Sequence, residues 1–431
     1  MPERPHVPQR RKQAEPTGRT DEDQSPNSAD QSILPAAQRF LAARVPVVRA
    51  TGGGDAVEVL VQTSAMRTVG VEEELLLVDV HTGKPRSVAS TVIAAASGDN
   101  APGADEGGVE AELQRYMVET QSSAASELAD IEAELRQWRR VVAHAARDAG
   151  AGVAALATAP FAGTGLISSA PRYRRMAERF GQTAQDVLTC GCHVHVGVES
   201  DEEGIAAIDR IRVWLPVILA LSANSPFYDG RDTGYASYRS QLWMRWPSAG
   251  PTDPFETPDA YRRLVRSMVE TGVLLDDGMI YFDARLSRRY PTVEIRVADV
   301  CVDLEDTLLV AALCRALVHT AAAEAARGHP VPQMPASLLR LAAWQAGHDG
   351  VGGVLVDPVS RRPRPWIDVT RDLVIHVRDS LEWFGDMERV EIGIDRLARV
   401  GTGATGQRRT FAKTGQLLDV VVEAVRRTAG H

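Results

Sequence analysis

Glu72 and Glu74 stand two residues apart in Thr68-Val-Gly-Val-Glu-Glu-Glu-Leu-Leu-Leu-Val-Asp79. This run is rich in β-branched residues and leucine and is closed by the turn signal His81-Thr-Gly83, so it reads as one strand. Side chains alternate across a strand, which points Glu72 and Glu74 one way and Glu73 the other. Two carboxylates at that spacing lie roughly 7 Å apart. Their repulsion near a protein surface is on the order of 2 kcal/mol and grows with burial. An oxygen-seeking cation such as Mg²⁺ would relieve it. A solvated acidic edge strand is the alternative.

Three further stretches repeat the theme. In Cys190-Gly-Cys-His-Val-His-Val-Gly197 an unbroken strand turns Cys190 and Cys192 away from His193 and His195, so the four cannot close on one zinc ion. His193, His195 and Glu199 share a face, either as ligands or as hydrogen-bonded strand histidines. In Thr292-Val-Glu-Ile-Arg-Val-Ala298, Glu294 and Arg296 project together, opposite the apolar face of Val293, Ile295 and Val297. An exposed ion pair of that kind would contribute little by itself. Glu112 and Glu119 would lie on opposite faces of a regular strand, and they converge only if the chain bends or is helical between them. Surface acids are the plainer reading of that pair.

Two loops are rich in anion-binding groups: Tyr235-Ala-Ser-Tyr-Arg239, following Asn224-Ser-Pro-Phe227, and Gly401-Thr-Gly-Ala-Thr-Gly-Gln-Arg-Arg409. Glycine-rich turns beside arginine can hold phosphate through backbone N–H groups and guanidinium forks. The second loop lacks the Gly-Lys-Ser/Thr ending of a Walker A loop and reads equally as a connection between helices.

These residues need a scaffold, and the composition allows one. The chain has 431 residues, 44% apolar and 24% charged, with a net charge of -9. That suits one large or two medium domains. No basic stripe marks a nucleic-acid partner. No apolar run approaches the roughly 20 residues of a membrane span, and the N-terminus lacks a signal-peptide core. Four cysteines in so long a chain do not form a disulfide framework, so a cytoplasmic location is expected. Residues 1–65 differ from the rest in their Pro, Gln, Ser and Arg content and are expected to be a disordered or weakly ordered extension. From 66 to 431 strands alternate irregularly with helices, which points to an α+β fold with a mainly antiparallel sheet. Helices are expected over 125–149, 171–180, 205–223, 260–271, 304–327, 336–346, 370–383, 386–400 and 410–428. Strands are expected at 68–79, 153–158, 188–198, 279–285 and 292–298. Three strands with one packed and one ionisable face suggest a sheet backed by helices on one side and open to chemistry on the other.

Together the stretches resemble the carboxylate–amine ligase family, also called glutamate–cysteine ligase type 2. Gly70-Val-Glu-Glu-Glu-Leu75, Met117-Val-Glu119, Gly191-Cys-His-Val-His-Val-Gly197 and Ala223-Asn-Ser-Pro-Phe227 carry the resemblance. It continues through Gly230–Arg239, Tyr290–Asp299, Gly401-Thr-Gly403 and Gln407-Arg408, in the family's order. The resemblance implies a glutamine-synthetase-like curved sheet whose open face binds ATP and two or three Mg²⁺. It implies Glu72, Glu74, Glu294 and His193 as metal ligands, with Glu112 and Glu119 as a further acidic pair. Arg239 and Arg296 are then expected at the phosphates or the substrate carboxylate, and Arg408 with them at the nucleotide. The implied reaction is ATP-dependent amide formation through an acyl phosphate, with small-molecule substrates, glutamate and cysteine being the expected pair. No cysteine is needed as a nucleophile, and a homo-oligomer is compatible with all of this. The competing readings are a phosphotransferase of guanidino-kinase type on the same sheet, and a nucleotide-binding paralogue without turnover. A chain shortened to begin at Met66 is expected to stay soluble and active, and insoluble protein on expression would show residues 1–65 to be structural.

Overall fold

The computed structural model describes residues 66–97, 108–163 and 165–430. The extension expected at 1–65 and most of the loop expected at 98–108 lie outside the described residues. Strands run in chain order as β1 (Val69–Val78), β2 (Gly108–Ala111), β3 (Met117–Gln121), β4 (Gly152–Ala154) and β5 (Gly191–Gly197). There follow β6 (Phe227–Tyr228), β7 (Arg231–Asp232), β8 (Ala284–Leu286), β9 (Thr292–Asp299), β10 (Val354–Val356) and β11 (Pro363–Pro365). The main sheet has the order β2-β3-β1-β5-β9-β8, with β4 joining β1, and every pairing in it is antiparallel.

Register does most of the positioning. Glu74 on β1 pairs with Glu119 on β3, and Glu72 pairs with His193 on β5. His195 pairs with Glu294 on β9, which pairs with Arg285 on β8. Directly opposed residues have Cβ atoms about 5 Å apart, so a row of ionisable groups crosses the sheet without help from any loop.

The other face is core. Val69, Val71, Val194, Val196, Val293 and Ile295 are fully buried with Ile205, Ile208, Leu308 and Leu313 from the helices behind them. Each such side chain contributes roughly 1.5–3 kcal/mol of burial free energy. Leu75 to Val78 are buried on both faces by a second apolar cluster that includes Leu156 and Val421. The open face is therefore confined to the first half of β1. The helix Leu304–Ala326 is long and apolar enough to cross a bilayer, yet it lies mostly buried behind the sheet and carries Glu305, Asp306 and Arg315.

Glu73 shows what the apolar face demands of a charge. Its carboxylate is wholly buried and accepts from Arg139 Nη2 at 2.6 Å, Arg139 Nε at 2.8 Å and Thr307 Oγ1 at 2.9 Å. Arg139 Nη1 and Nη2 also donate to the carbonyls of Val302 and Cys301 at 2.8 and 2.7 Å. One bidentate pair thus ties β1, the helix Leu128–Asp148 and the chain entering Leu304–Ala326 together.

Some elements depart from the sequence pattern. The helix expected over 205–223 is two, Asp201–Ile211 and Leu215–Ser222, because Pro216 cannot donate a helical N–H and clashes with the preceding turn. Residues 370–383 likewise divide, into Trp366–His376 and Arg378–Phe384. The strand expected at 279–285 is a 3₁₀ turn followed by β8, and β4 is shorter than 153–158. The Gly401–Arg409 loop is largely helix, beginning at Gly403. Arg139→Ala should lower stability by about 3–5 kcal/mol because it strands the Glu73 charge. The double variant Glu73→Leu/Arg139→Met should recover most of that in chemical denaturation, and no recovery would deny the pair its role.

Candidate active site

The open face of β1, β3, β5 and β9 floors a cavity of about 580 Å³. Three groups of potential ligand atoms lie in it, each group mutually within 4.8 Å: Glu72/His195/Glu294, Glu72/Glu119/His193 and Glu74/Glu112/Glu119. Glu72 belongs to two of them and Glu119 to two, so the groups form a continuous line across the sheet. The four expected ligands all fall on this line: His193 groups with Glu72 and Glu119, Glu294 with Glu72 and His195, and Glu74 with Glu112 and Glu119. The pleat spreads them, since residues two apart on a strand cannot reach a single ion together with partners on both flanking strands.

Glu112 and Glu119 do converge. β2 and β3 form a hairpin, and the reversal at 112–116 brings Glu112, just past β2, back over Glu119. Ser168 Oγ donates to the Glu112 carbonyl, and Leu113 N–H donates to its carboxylate at 3.1 Å. Gln121 Nε2 donates to Glu119 Oε1 at 2.7 Å. Gly191 N–H donates to Glu74 Oε2 at 2.5 Å. A side chain at Gly191 would collide with the Arg239 guanidinium, so glycine is needed where β5 opens the floor.

The electrostatics divide the line. Burial, followed by repulsion from Glu74, pushes the Glu112 carboxyl up to about 7. Burial raises Glu119 well above its usual range too, with Glu72, Glu112 and Glu74 adding to it. At the other end, Glu294 is held well down: burial opposes ionisation, but Arg296 and Arg285 outweigh it. Arg285 forks onto Glu294 through Nε at 2.7 Å and Nη2 at 3.0 Å, and Arg296 Nη1 donates to the same carboxylate. Glu72 between them is also lowered, its burial outweighed by His193 and His195. His193 Nδ1 and His195 Nε2 each lie 3.1 Å from a Glu72 oxygen. His193 Nε2 is buried without a hydrogen-bond partner among the described residues, as a free ligand atom would be. Among the described residues, Glu74, Glu112 and Glu119 have no arginine, lysine or histidine within ion-pair distance, so this end is the less neutralised one. Carboxylates within 4.8 Å repel by about 3 kcal/mol per pair.

The arginines separate. Arg296 lines the cavity, its guanidinium 5.7 Å from the Trp243 ring centre and 6.0 Å from that of Tyr281, with Nε unpartnered. Arg239 does not line it. It is buried beside the floor, where Nη1 and Nη2 donate to the carbonyls of Val297 and Arg296 at 3.3 Å each. Arg408 is farther still: it forks onto Asp232 at 2.8 and 2.6 Å and onto the Tyr235 carbonyl at 2.9 Å. The expected place at the phosphates differs from this arrangement, in which the terminal nitrogens of Arg239 face carbonyls and Arg408 pairs with Asp232 outside the cavity. His195, which shares its strand face with His193, lines the cavity, and so do Arg285 and Arg172, for which the sequence gives no such signal. The face shared with His193 could have signalled His195, whereas Arg285 needs the β8–β9 register.

An antiparallel sheet with one helical face, and one face carrying acidic ligand groups beside arginines, is the arrangement expected of an ATP-dependent carboxylate–amine ligase. The sequence model described as glutamate–cysteine ligase family 2 matches residues 68–424. A protein of Streptomyces avermitilis with the provisional name glutamate–cysteine ligase 2-1 is 50% identical over 365 residues, covering 85% of this chain and 100% of that one. A Streptomyces coelicolor protein provisionally named glutamate–cysteine ligase 2 is 50% identical over 363 residues, covering 84% and 99%. Among solved structures, the glutamate–cysteine ligase of Francisella tularensis in complex with AMP aligns with a TM-score of 0.61 at 11% identity, over 84% of this chain and 88% of that one. The chain belongs to glutamate–cysteine ligase family 2, and it is a ligase that forms carbon–nitrogen bonds.

The raised carboxyls give a pH signature. Because Glu112 and Glu119 hold protons in the folded state that an unfolded chain would release, stability without divalent cations is greatest below the usual carboxylate range and falls as pH rises. In chelator, melting temperature should fall between about pH 5 and pH 8, and Glu112→Gln should flatten that slope. An unchanged slope in the variant would separate the titration from Glu112.

Proposed function

We propose that the cavity joins glutamate to cysteine at the expense of ATP, with two or three Mg²⁺ held by the line of acidic groups. Glu72, Glu74, Glu112, Glu119, Glu294, His193 and His195 would supply the ligands, an oxygen-rich set that suits a hard cation. Bound Mg²⁺ would supply charge neutralisation at the phosphates. The γ-carboxylate of glutamate attacks the γ-phosphorus of ATP, the bond to the β,γ-bridging oxygen breaks, and ADP leaves. The amine of cysteine then attacks the acyl carbon, phosphate departs, and the nitrogen loses a proton to complete the amide.

The protein's own share is placement and charge. Arg296 is set two residues from Glu294 on one strand face, so a guanidinium and a metal-binding carboxylate can meet the same phosphoryl group. Arg285 holds Glu294 in one orientation through two parallel hydrogen bonds. A second cavity, of about 450 Å³, meets the first at Glu72, Gln121, His195 and Tyr290. Two ligands can therefore approach the metal line from opposite ends of the strands. The four free, buried cysteines suit a reducing, cytoplasmic setting, and none lines either cavity.

The observation that carries this reading is the concentration of acidic ligand groups short of positive charge beside Arg296. Its test is an assay with ATP, glutamate and cysteine that counts amide and free phosphate together. Equal amounts of the two are expected. A phosphorylated acceptor without free phosphate would indicate a phosphotransferase instead, and no turnover with any acid–amine pair would indicate a binding protein. Arg296→Lys keeps the charge but loses the fork. It should lower kcat by at least about 100-fold with the melting temperature little changed. Unchanged turnover would remove Arg296 from the phosphoryl group.

A further inference from the structure

A third cavity, of about 260 Å³, lies beyond the wall that Trp243 and Arg296 form against the candidate active site. Its walls are mostly apolar, with Pro216, Leu219, Met244 and Trp344 among them. Four charged residues line it, Arg239, Arg296, Asp283 and Arg340, and the side chains of the last two have no partner among the described residues. The Asp283 carboxylate, partly buried in the wall, has no hydrogen-bond or ion-pair partner among the described residues. Asp283 uses only its backbone, donating from N–H to the Gly250 carbonyl at 3.1 Å and accepting from Arg296 N–H at 2.9 Å. Arg340, exposed at the rim, is likewise without a partner among the described residues. The two do not pair with each other, though the guanidinium is close enough to act on the carboxyl.

The Asp283 carboxylate opens onto the cavity and has no protein partner among the described residues, so it is available to whatever enters. Burial pushes the Asp283 carboxyl up to about 7, with Arg239 and Arg340 pulling the other way. Arg239 cannot satisfy it, because its terminal nitrogens are committed to the Val297 and Arg296 carbonyls. A ligand that brings its own cation would. It would need an anion for Arg340 and an apolar body for the walls. The volume falls below the roughly 300–1,000 Å³ of drug-sized sites, which limits the ligand to a small metabolite.

We propose that this cavity binds a free zwitterionic amino acid with an apolar side chain, its ammonium on Asp283 and its carboxylate on Arg340. The site is separate from the ligase cavity and does not depend on what that cavity joins. Trp243 and Arg296 line both cavities, so an occupant here touches the side chain placed at the phosphoryl group.

Isothermal titration calorimetry of the full chain tests this, with L-leucine as the probe. Saturable one-to-one binding is expected. The two half-probes, 3-methylbutylamine and 4-methylpentanoate, should each bind at least about tenfold more weakly, since each lacks one charge-assisted contact. Asp283→Asn and Arg340→Ala should each weaken leucine to a similar extent, while Glu119→Gln in the ligase cavity should leave it unchanged. Arg340 is exposed, so its variant remains informative if Asp283→Asn fails to fold. Absence of saturable leucine binding overturns the proposal. So does amine binding equal to that of leucine, or loss of binding in Glu119→Gln with retention in Arg340→Ala, which would put leucine in the ligase cavity.

Discussion

Five carboxylates, those of Glu72, Glu74, Glu112, Glu119 and Glu294, converge on one face of a sheet, and their mutual repulsion governs what surrounds them. Each close pair costs about 3 kcal/mol near a surface and more when water is excluded. The fold meets this unequally. Arg285 and Arg296 neutralise Glu294, and two histidines flank Glu72. Glu74, Glu112 and Glu119 have no arginine of their own within ion-pair distance among the described residues, and two of them are left reluctant to ionise. A site assembled in this way is neutral at one end and wants cations at the other. That asymmetry follows from cross-strand register, because among the described strands of the main sheet the arginines are on β9 and β8.

Such a strained face persists only if the opposite face holds it. The valines and isoleucine of β1, β5 and β9 pack against helices, and the Glu73–Arg139 pair locks β1 to the chain leaving β9. At the far end of β9, Asp299 accepts from Asn224 N–H at 2.8 Å, Ser225 Oγ at 2.7 Å and Ser237 Oγ at 2.9 Å. Asn224 in turn donates to the Ala155 and Val300 carbonyls and accepts from Gln407 Nε2 at 2.8 Å. Gly403 sits so close to Asn224 that any side chain there would collide with it. The stretches Asn224-Ser-Pro226, Tyr235–Arg239 and Gly401–Gln407 therefore form one buried knot. They place β9, and through it Glu294 and Arg296.

This explains which parts of the site could be read from the chain. Alternation within a strand is local, so the facing of Glu72, Glu74, His193, Glu294 and Arg296 was legible, as was the antiparallel sheet with one covered side. Glu112 and Glu119 were not legible as a pair without the family resemblance, since a reversal between them defeats any periodicity argument. Arg239 and Arg408 lie outside the cavity, and Gly401–Arg409 takes the second of its two readings, a connection that runs into a helix. Glycine and arginine together describe a phosphate loop and a buried hydrogen-bond knot equally well, and only the partner at long range distinguishes them. For Arg408 that partner is Asp232, 176 residues away in sequence.

The doubly held Glu294 bears on how the site can work. A carboxylate that accepts a fork from Arg285 and a further bond from Arg296 has few lone pairs left for a metal. One lone pair is left on Glu294 Oε2 for a cation beside Glu72 and His195, and a second would be freed only if an arginine moved away. Arg285 is anchored by a second bond to the Ile280 carbonyl at 2.8 Å, whereas Arg296 keeps an unpartnered Nε and stands over the rings of Trp243 and Tyr281. Arg296 is thus the freer of the two. On the proposed assignment of Glu294 to a cation, Arg296 is the guanidinium whose hold on that carboxylate would loosen first, and it is also the one placed to face a phosphate.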